Sequence, residues 1–440
     1  MPNQPNPIYE HPAVLLQNLI RFDTTNPPGN ELPCIQYIHG LLKDAGIETN
    51  FVARTPERPN LIARLKGAGQ ASPLLLYGHV DVVTTEGQKW TYPPFEARLV
   101  DGYIWGRGAL DMKHGIAMYV AAILKAKAES LRLPGDVIFL ASVDEETDSE
   151  DGVKFLVEQH ADLFTGVRYA LSEFGGVTVP LAGKRFYPIR TSEKQLCPAR
   201  LTFHGNGGHG GVPVHDGAMS KLANALTILD RKQLPVHITP QTRLMIEALA
   251  QGMGGVTGLA MRQLLNPHFT DILLKVIGSS AAVFSPLLHN SVSPTMLKAS
   301  EKRNVIPSEV ILELDGRTLP GFTASDLEAE LRSLLGDDCT IEAFLPYPGL
   351  DSTDMGLFDT LSDHLRELDP QGIPVPFVNF GVSDARFFSK LGIQTYGYTP
   401  LAITEGLDLT NTIHAANERI PAEALDFGVS AVFKTLQDFH

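Results

Sequence analysis

An unbroken run of apolar and aromatic residues, Leu74 to Tyr77, is the clearest hydrophobic signal in the chain. Ser72-Pro73 precedes the run and Gly78 follows it, so turn residues bound it on both sides. A short run of this kind is typical of a strand buried on both faces, as in a parallel sheet covered by helices. The segments 136–143 (DVIFLASV) and 169–172 (YALS) predict two more such strands.

Apolar residues at helical spacing alternate with these strands. The pattern predicts helices over 13–22, 31–46, 115–128, 153–160 and 421–437, and further strands over 60–65 and 394–398. Gly46 is typical of a residue that closes a helix. Alternating strands and helices predict an α/β fold with a mostly parallel sheet and helices on both faces.

The pattern changes near residue 190. Strands predicted over 199–204, 310–314 and 340–344, and helices over 216–229 and 324–335, indicate an α+β block. The segment 241–288 is rich in Leu, Met, Ala and Gly and predicts helices. We therefore predict a discontinuous α/β domain of residues 1–190 and 351–440. An α+β domain of residues 191–350, with an extra helical insert at about 241–288, interrupts it.

Composition and charge narrow the class of protein. Hydrophobic residues make up 43% and charged residues 20% of the 440 residues, enough to build substantial cores. The formal net charge of −14 argues against a nucleic-acid partner, because proteins that bind nucleic acids carry a basic surface. No apolar stretch approaches the roughly 18 residues that span a bilayer, so no membrane partner is expected.

The cysteines and the N-terminal sequence indicate the cellular compartment of the protein. Cys34, Cys197 and Cys339 lie far apart and are odd in number, so no disulfide framework or cysteine-based zinc site is predicted. A reducing compartment fits this usage best. The polar, Pro-rich start MPNQPNPIYEHP has no signal-peptide pattern. We therefore expect a cytoplasmic protein.

Potential metal ligands follow the predicted strands. In an open parallel sheet, ligands bind outside the carboxyl ends of the strands. Residues two apart in an extended chain point to the same side, and a carboxylate that holds one ring N–H of a histidine leaves the other nitrogen for a metal. The candidates are His79 with Asp81, Asp111, the triplet Asp144-Glu145-Glu146, Glu173, and His414 in the segment NTIHAANE.

This set contains nitrogen and oxygen donors without sulfur, which suits zinc, cobalt or manganese. One histidine with two or three carboxylates also suits two ions that share a bridging carboxylate. Such a pair generates hydroxide near neutral pH and polarises a carbonyl. The adjacent side chains of Glu145 and Glu146 point in different directions, so one could ligate while the other moves protons.

Three other interpretations are weaker. The segment 106–111 (GRGALD) resembles a dinucleotide fingerprint, but Asp111 stands where the third glycine belongs. The segment GNGGHGG lacks the Gly-Lys-Ser/Thr of a phosphate loop. His204, His209 and His215 could form a separate metal cluster. We interpret His204 as a strand end and His215 as a surface residue, which leaves His209 as the candidate.

Several motifs in one order give the chain a resemblance to a known family. They are FDTTNPPGNE, GHVDVV, GRGALDMKHG, SVDEET, GGHGGVP, NVIPSEVILELDGRTLPG, GVSDARFF and NTIHAANE, and they cover most of the chain. The sequence resembles the zinc metallopeptidase family of aminoacylase, acetylornithine deacetylase, succinyl-diaminopimelate desuccinylase and glutamate carboxypeptidase. The resemblance implies a catalytic zinc-binding domain with an inserted lid and dimerisation domain.

The resemblance also implies roles for the candidate residues. Two Zn²⁺ ions per subunit would share Asp111, and Co²⁺ or Mn²⁺ could replace them. His79 and Glu173 would complete the ligands of one ion, and Glu146 and His414 those of the other. Asp81 would orient His79, and Glu145 would act as the general base that takes a proton from the bridging water. The peptide bond between Asp111 and Met112 is expected to be cis.

The lid residues are implied in the same way. His209 would reach a neighbouring active site and support the oxyanion, which fits a homodimer. Asn304, Arg317 and Gly381 would bind the substrate, and Arg317 implies a free carboxylate beside the scissile amide. The family's more usual Gly-Gly is Gly381-Val382 here. The helical insert at about 241–288 also makes this lid long for the family, and whether the family dimer is kept stays open.

The prediction is therefore a zinc-dependent hydrolase of a small peptide or an N-acyl amino acid. Carboxypeptidase, dipeptidase, aminoacylase and deacetylase activities all remain open. The alternative is a non-catalytic protein that binds a peptide or acylated amino acid on the same fold.

Overall fold

The computed structural model describes residues 7–278, 284–350, 353–403 and 409–440. The chain forms two compact units. The first comprises Met1–Thr191, Thr353–Phe377 and Ser383–His440, and the second comprises Ser192–Ser352 and Val378–Val382.

The N-terminal stretch supplies most strands of the first unit. Its helices are α1 (Pro12–Ile20), α2 (Leu32–Asp44), α3 (Lys113–Ala128) and α4 (Val153–Gln159). Its strands are β1 (Glu48–Val52), β2 (Asn60–Leu65), β3 (Leu74–His79), β4 (Arg98–Val100), β5 (Tyr103–Trp105), β6 (Val137–Ser142), β7 (Tyr169–Ser172), β8 (Val179–Leu181) and β9 (Lys184–Glu193). Every residue of β3, β6 and β7 is buried, as the unbroken apolar runs predict.

The middle stretch forms most of the second unit. Its strands are β10 (Gln195–Leu196), β11 (Ala199–His204), β12 (Gly208–His209), β13 (Ser291–Lys298), β14 (Val305–Ile306), β15 (Glu309–Thr318) and β16 (Thr340–Ala343). Its helices are α5 (Ala218–Arg231), α6 (Pro240–Met253), α7 (Gly255–Arg262), α8 (Pro267–Ile277) and α9 (Ala324–Leu335). Helices α6, α7 and α8 lie in the stretch predicted as a helical insert; residues 279–283 lie outside the described residues.

The C-terminal stretch returns to the first unit. It contains α10 (Phe358–Leu368), β17 (Gly372–Asn379), α11 (Ala385–Ser389), β18 (Gln394–Gly397), α12 (Leu409–Thr412), β19 (Arg419–Pro421) and α13 (Ala424–Asp438). Helix α13 packs on α3 and α10, and its buried face joins the large core of the first unit. Within the described ranges, every helix is too short or too polar to span a bilayer.

The large sheet has the strand order β1-β2-β6-β3-β7-β18-β9-β17, with β8 paired to β9. The neighbours β6, β3, β7 and β18 run parallel to one another. Antiparallel pairing occurs outside this centre, between β1 and β2, β2 and β6, and β18 and β9. The predicted α/β fold class is confirmed. The carboxyl ends of β6, β3 and β7 lie side by side, which places the loops after them together.

The second unit is built on a smaller antiparallel sheet of order β10-β15-β11-β16, in which β13 also pairs with β15. Alternate residues of β15, namely Val310, Leu312 and Leu314, are buried in a core shared with α5 and α9. The residues between them point to the opposite face because side chains alternate along a strand. Asp315 and Arg317 lie on that second face, where they are half-buried.

Candidate metal centre

Three neighbouring strands deliver the acidic and histidine side chains. Strand β3 ends at His79, which lies beside Ser142 at the end of β6, and β6 leads directly into Glu145 and Glu146. Strand β7 leads directly into Glu173. Asp111 comes from the loop before α3. The predicted cis peptide bond between Asp111 and Met112 is confirmed.

One group of side chains surrounds His79. Its Nε2 atom lies 3.1 Å from Asp111 Oδ1 and 3.4 Å from Glu173 Oε2. The nearest oxygen of Glu145 is 4.0 Å from the same nitrogen. The four side chains are buried or nearly so, with His79 only 1% exposed. These contacts bring together residues from three separate loops and one strand end.

A second group surrounds His414. Its Nε2 atom lies 3.1 Å from Asp111 Oδ2 and 3.3 Å from Glu146 Oε2. The two carboxylate oxygens of Asp111 therefore face different histidines, with Oδ1 toward His79 and Oδ2 toward His414. This is the arrangement in which one carboxylate can bridge two cations.

The electrostatics of the site reflect buried carboxylates held near imidazoles. Burial, together with the charge of Asp111, raises the pKa of Glu173 to about 7. Burial and the charge of Glu173 also raise the pKa of Glu145. Burial opposes ionisation of Asp111, but contacts with His414 and His79 outweigh it and lower its pKa. Contacts with Asp111 and Glu146 raise the pKa of His414 to about 10.

The donor set fits divalent metal ions. Ligand atoms of His79, Asp111 and Glu146 all lie within 4.8 Å of one another, and so do those of His79, Glu145 and Glu173. Glu146 Oε1 and Glu173 Oε2 are buried without a hydrogen-bond partner among the described residues. Buried carboxylate oxygens normally have a partner, so these two acceptors call for a cation. Imidazole and carboxylate donors without sulfur suit zinc, cobalt or manganese.

Asp81 contacts both the histidine and the acidic turn. Its Oδ1 atom lies 3.5 Å from His79 Nδ1, and its main-chain carbonyl oxygen is 3.0 Å from the same nitrogen. The backbone N–H of Glu145 donates to Asp81 Oδ1 at 3.2 Å, and that of Glu146 donates to Oδ2 at 3.1 Å. One buried carboxylate thus lies beside a histidine and accepts the backbone N–H groups of the two adjacent glutamates.

Asn26 and Arg58 support the same turn, and neither residue was predicted to have a role. Asn26 Nδ2 donates to Asp81 Oδ2 at 2.9 Å and to Asp144 Oδ1 at 3.0 Å. Arg58 Nη1 donates to Asp144 Oδ1 at 2.9 Å, and its Nε donates to buried Glu31 at 3.1 Å. The motif FDTTNPPGNE contains Asn26 and Glu31 and was the signal that could have identified them.

Glu418 holds the loop that carries Asp111. Its carboxylate accepts the backbone N–H groups of Gly108, Leu110 and Asp111 at 3.2, 2.6 and 3.2 Å. Arg107 Nη1 donates to the same carboxylate at 2.7 Å. Glu418 ends the motif NTIHAANE, so this motif supplies both a candidate ligand and the support for another.

Two residues of the site have left-handed backbone conformations. Asp144 has φ 67° and His414 has φ 62°. Non-glycine residues rarely adopt such angles, and those that do cluster at functional sites. Composition alone gives no indication of these conformations.

The predicted lid residues lie in the second unit. His209, which is exposed, is on β12 paired with Val305, and the N–H of Gly211 donates to its Nδ1 at 3.1 Å. The carbonyl of exposed Asn304 accepts the N–H of Gly210 at 2.8 Å, which brings Asn304 beside the His209 turn. Arg317 lies on β15 and Gly381 in the segment Val378–Val382.

Comparisons with known proteins agree with these observations. Residues 75–438 match the model of peptidase family M20/M25/M40. A probable carboxypeptidase S-like protein 2 of Dictyostelium discoideum is 25% identical over 87% of this chain and 73% of its own length. The human N-fatty-acyl-amino acid synthase/hydrolase PM20D1 is 24% identical over 92% of this chain and 81% of its own length.

A solved structure shares the fold. The M20 family metallo-carboxypeptidase Sso-CP2 of Sulfolobus solfataricus superimposes with a TM-score of 0.67 at 18% identity, covering 99% of both chains. The family resemblance inferred from the motifs is thus confirmed.

Proposed function

The chain belongs to peptidase family M20/M25/M40 and hydrolyses amide bonds, and we propose that it does so with two divalent metal ions, zinc in the native enzyme. Cobalt or manganese could replace zinc in such a site. His79 and Glu173 would hold one ion, Glu146 and His414 would hold the other, and Asp111 would bridge both. The substrate is a small peptide or an N-acyl amino acid with a free carboxylate.

The observation that carries this proposal is the division of the Asp111 carboxylate between two histidines. Oδ1 lies 3.1 Å from His79 Nε2 and Oδ2 lies 3.1 Å from His414 Nε2. A structural ion pair needs only one imidazole per carboxylate. Two further acidic side chains, Glu173 and Glu146, complete the two groups separately.

Bound metal ions at this position supply a Lewis acid for the substrate carbonyl and lower the pKa of a water molecule. Glu145 takes a proton from the attacking water and then gives it to the nitrogen of the leaving amine. Burial disfavours the charge on Glu145, and this property suits a group that gains and loses a proton during each turnover. The N–H contact with Asp81 holds the backbone of Glu145 in place.

The second unit supplies the substrate-binding groups in this proposal. Arg317 and Asn304 hold the substrate, Gly381 lines its path, and His209 stabilises the oxyanion. The names of the two relatives describe a probable carboxypeptidase S-like protein and an N-fatty-acyl-amino acid synthase/hydrolase. In both substrate classes an amide lies beside an amino-acid carboxylate, which is the group that a guanidinium binds well.

Metal removal followed by a substrate panel tests the proposal. The purified protein is stripped with a chelator, reloaded with zinc, cobalt or manganese, and assayed against dipeptides and N-acyl amino acids. We expect no hydrolysis without metal, and restored hydrolysis of at least one class with about two ions bound per chain. Hydrolysis that survives complete metal removal would contradict the proposal. Reloaded protein that binds the panel without cleaving it would point to the non-catalytic alternative.

We also propose that the protein is a homodimer in which His209 acts on the partner's substrate. Its mass in solution, measured by light scattering, tests the dimer. Mixing an inactive His209→Ala variant with an inactive Glu145→Gln variant tests the shared site. Subunit exchange should restore part of the activity, because one of the mixed sites has both residues intact. An absence of recovery from exchanged dimers would place His209 in its own subunit's site.

A further inference from the structure

Lys194 is a buried cation in the second unit that the proposed mechanism does not use. Its side chain is only 1% exposed. The Nζ atom donates to the carbonyl oxygen of His289 at 2.9 Å and to Ser291 Oγ at 2.7 Å. Both acceptors are neutral. An ammonium group has three N–H donors, so one remains for another acceptor.

No carboxylate within the described ranges forms an ion pair with Lys194, although buried charges are normally paired. Burial, together with the nearby charge of Arg317, lowers the pKa of Lys194 to about 7. Asp315 and Glu330 raise this pKa, but their effects are smaller. A lysine in this environment gains free energy from any anion that reaches it.

The hydrogen bond to Ser291 brings the Lys194 ammonium toward Arg317. Ser291 on β13 is the direct partner of Arg317 on β15, and Leu196 on β10 is its partner on the other side. Directly opposed residues of an antiparallel pair have their side chains on the same face of the sheet. The Lys194 ammonium contacts the Ser291 hydroxyl, so both cations lie on the sheet face opposite the α5 and α9 core.

The charge of Arg317 is already compensated within its own strand. Asp315 Oδ1 accepts from Arg317 Nε at 2.7 Å, and Asp315 Oδ2 accepts from Nη2 at 3.1 Å. This bidentate pair satisfies two of the five guanidinium donors and cancels its net charge. The uncompensated positive charge on this face therefore belongs to Lys194.

We infer that Lys194 is a specificity-determining residue that binds the substrate carboxylate together with Arg317, and that Lys194 supplies the net charge of this subsite. Arg317 keeps free N–H donors that orient the carboxylate. The substrate class is then an amide that carries a carboxylate, and the corresponding carboxamide is a poor substrate. This inference rests on the proposed hydrolase function.

The test compares Lys194→Met with a matched control, Lys298→Met. Lys298 is exposed and pairs with Ile311 at the other end of β15, so its loss removes the same charge from the same sheet. Each variant is assayed on the best carboxylate substrate of the panel and on its carboxamide. For Lys194→Met we expect KM for the carboxylate to rise about 10- to 100-fold, the range for a hydrogen bond to a charged group. We expect kcat to stay within about twofold of wild type.

Two further variants make the test decisive. Lys194→Arg keeps the charge and should recover part of the preference for the carboxylate over the carboxamide. Asp315→Asn removes the charge that compensates Arg317 and should lower KM for the carboxylate substrate. Because Asp315 is 39% exposed, this variant should fold even where Lys194→Met does not.

The outcomes separate this inference from the proposed function. A wild-type enzyme that hydrolyses no substrate contradicts the proposed function itself. An active wild type with unchanged KM and unchanged carboxylate preference in folded Lys194→Met overturns the inference. If Lys194→Met does not fold, an unchanged KM in Asp315→Asn overturns it.

Discussion

Glu145 and Glu146 are adjacent in sequence but belong to different parts of the proposed metal centre. Glu146 Oε2 lies 3.3 Å from His414 Nε2, whereas Glu145 Oε2 lies 4.0 Å from His79 Nε2. Asp81 fixes both backbone N–H groups, so the two side chains diverge from one anchored turn. In the proposed mechanism, this arrangement would let Glu146 ligate a metal ion while Glu145 transfers protons.

We expect Glu145→Gln to lower kcat by about 10²- to 10⁴-fold, the usual contribution of a general base. Metal content should stay near that of wild type, because the amide keeps the size of the side chain and the proposed ligands are untouched. Turnover and bound metal are measured on the same preparation. Asp148→Asn is the matched control, since Asp148 is an exposed acid of the same turn. Full activity in Glu145→Gln would exclude Glu145 as the base.

At the residue scale, the sequence predicted the candidate ligands because each follows a recognisable strand or motif. The supporting residues were not predicted. Asn26, Arg58 and Glu418 act through contacts with residues far away in the chain, such as the Arg58–Asp144 pair at 2.9 Å. Their residue types are common, and although Asn26 and Glu418 lie within motifs, only the folded arrangement reveals their contacts.

Asp136 joins the start of β6 to the end of β2. Its carboxylate accepts the N–H of Gly67 at 2.9 Å, Arg64 Nε at 2.7 Å and Lys66 Nζ at 3.1 Å. Burial opposes ionisation, but these donors outweigh it and lower the pKa of Asp136 to about 2. A carboxylate whose pKa is lower in the folded state than in the unfolded state stabilises the fold at pH values above its unfolded pKa, near 4. This stabilisation is lost as the pH falls toward its folded pKa.

Asp136→Asn should therefore lower the midpoint of thermal unfolding by roughly 1–3 °C near pH 6. The difference from wild type should shrink as the pH falls from about 4 to about 2, because wild-type Asp136 becomes protonated in that range. Unfolding is followed by circular dichroism across the pH series. The exposed Asp338→Asn variant provides the baseline. A difference that persists undiminished at pH 2 would contradict the charge argument.

At the element scale, buried parallel strands and long helices were predicted well. β2, β7, β11 and α9 have the predicted bounds. Strands β1, β9 and β13 were among those not predicted. Strand β13 contains Pro294, is largely exposed and has an irregular register at this proline, so it lacks the apolar pattern of a strand. Strand β13 forms because it can pair with β15. This pairing cannot be read from the sequence of β13 alone.

The proposed metal ligands all belong to the first unit, so metal binding should stabilise that unit. A ligand that binds only the folded state at 100 times its Kd contributes about 2.7 kcal/mol. We expect chelation to lower the unfolding temperature and zinc to restore it in a saturable manner. His414→Ala should weaken this response, whereas His215→Ala should not, since His215 is an exposed residue of the second unit. Equal unfolding temperatures with and without metal would contradict a metal centre.

The second unit is assembled from two separate stretches of chain, Ser192–Ser352 and Val378–Val382. The backbone N–H of Lys194, in the long stretch, donates to the carbonyl oxygen of Asn379 at 2.9 Å. The short stretch therefore supplies a hydrogen-bond acceptor for the long stretch. A gene fragment that encodes only the long stretch would lack this acceptor. Anyone who grafts this unit onto a relative, or expresses it alone, would need to transplant both stretches together.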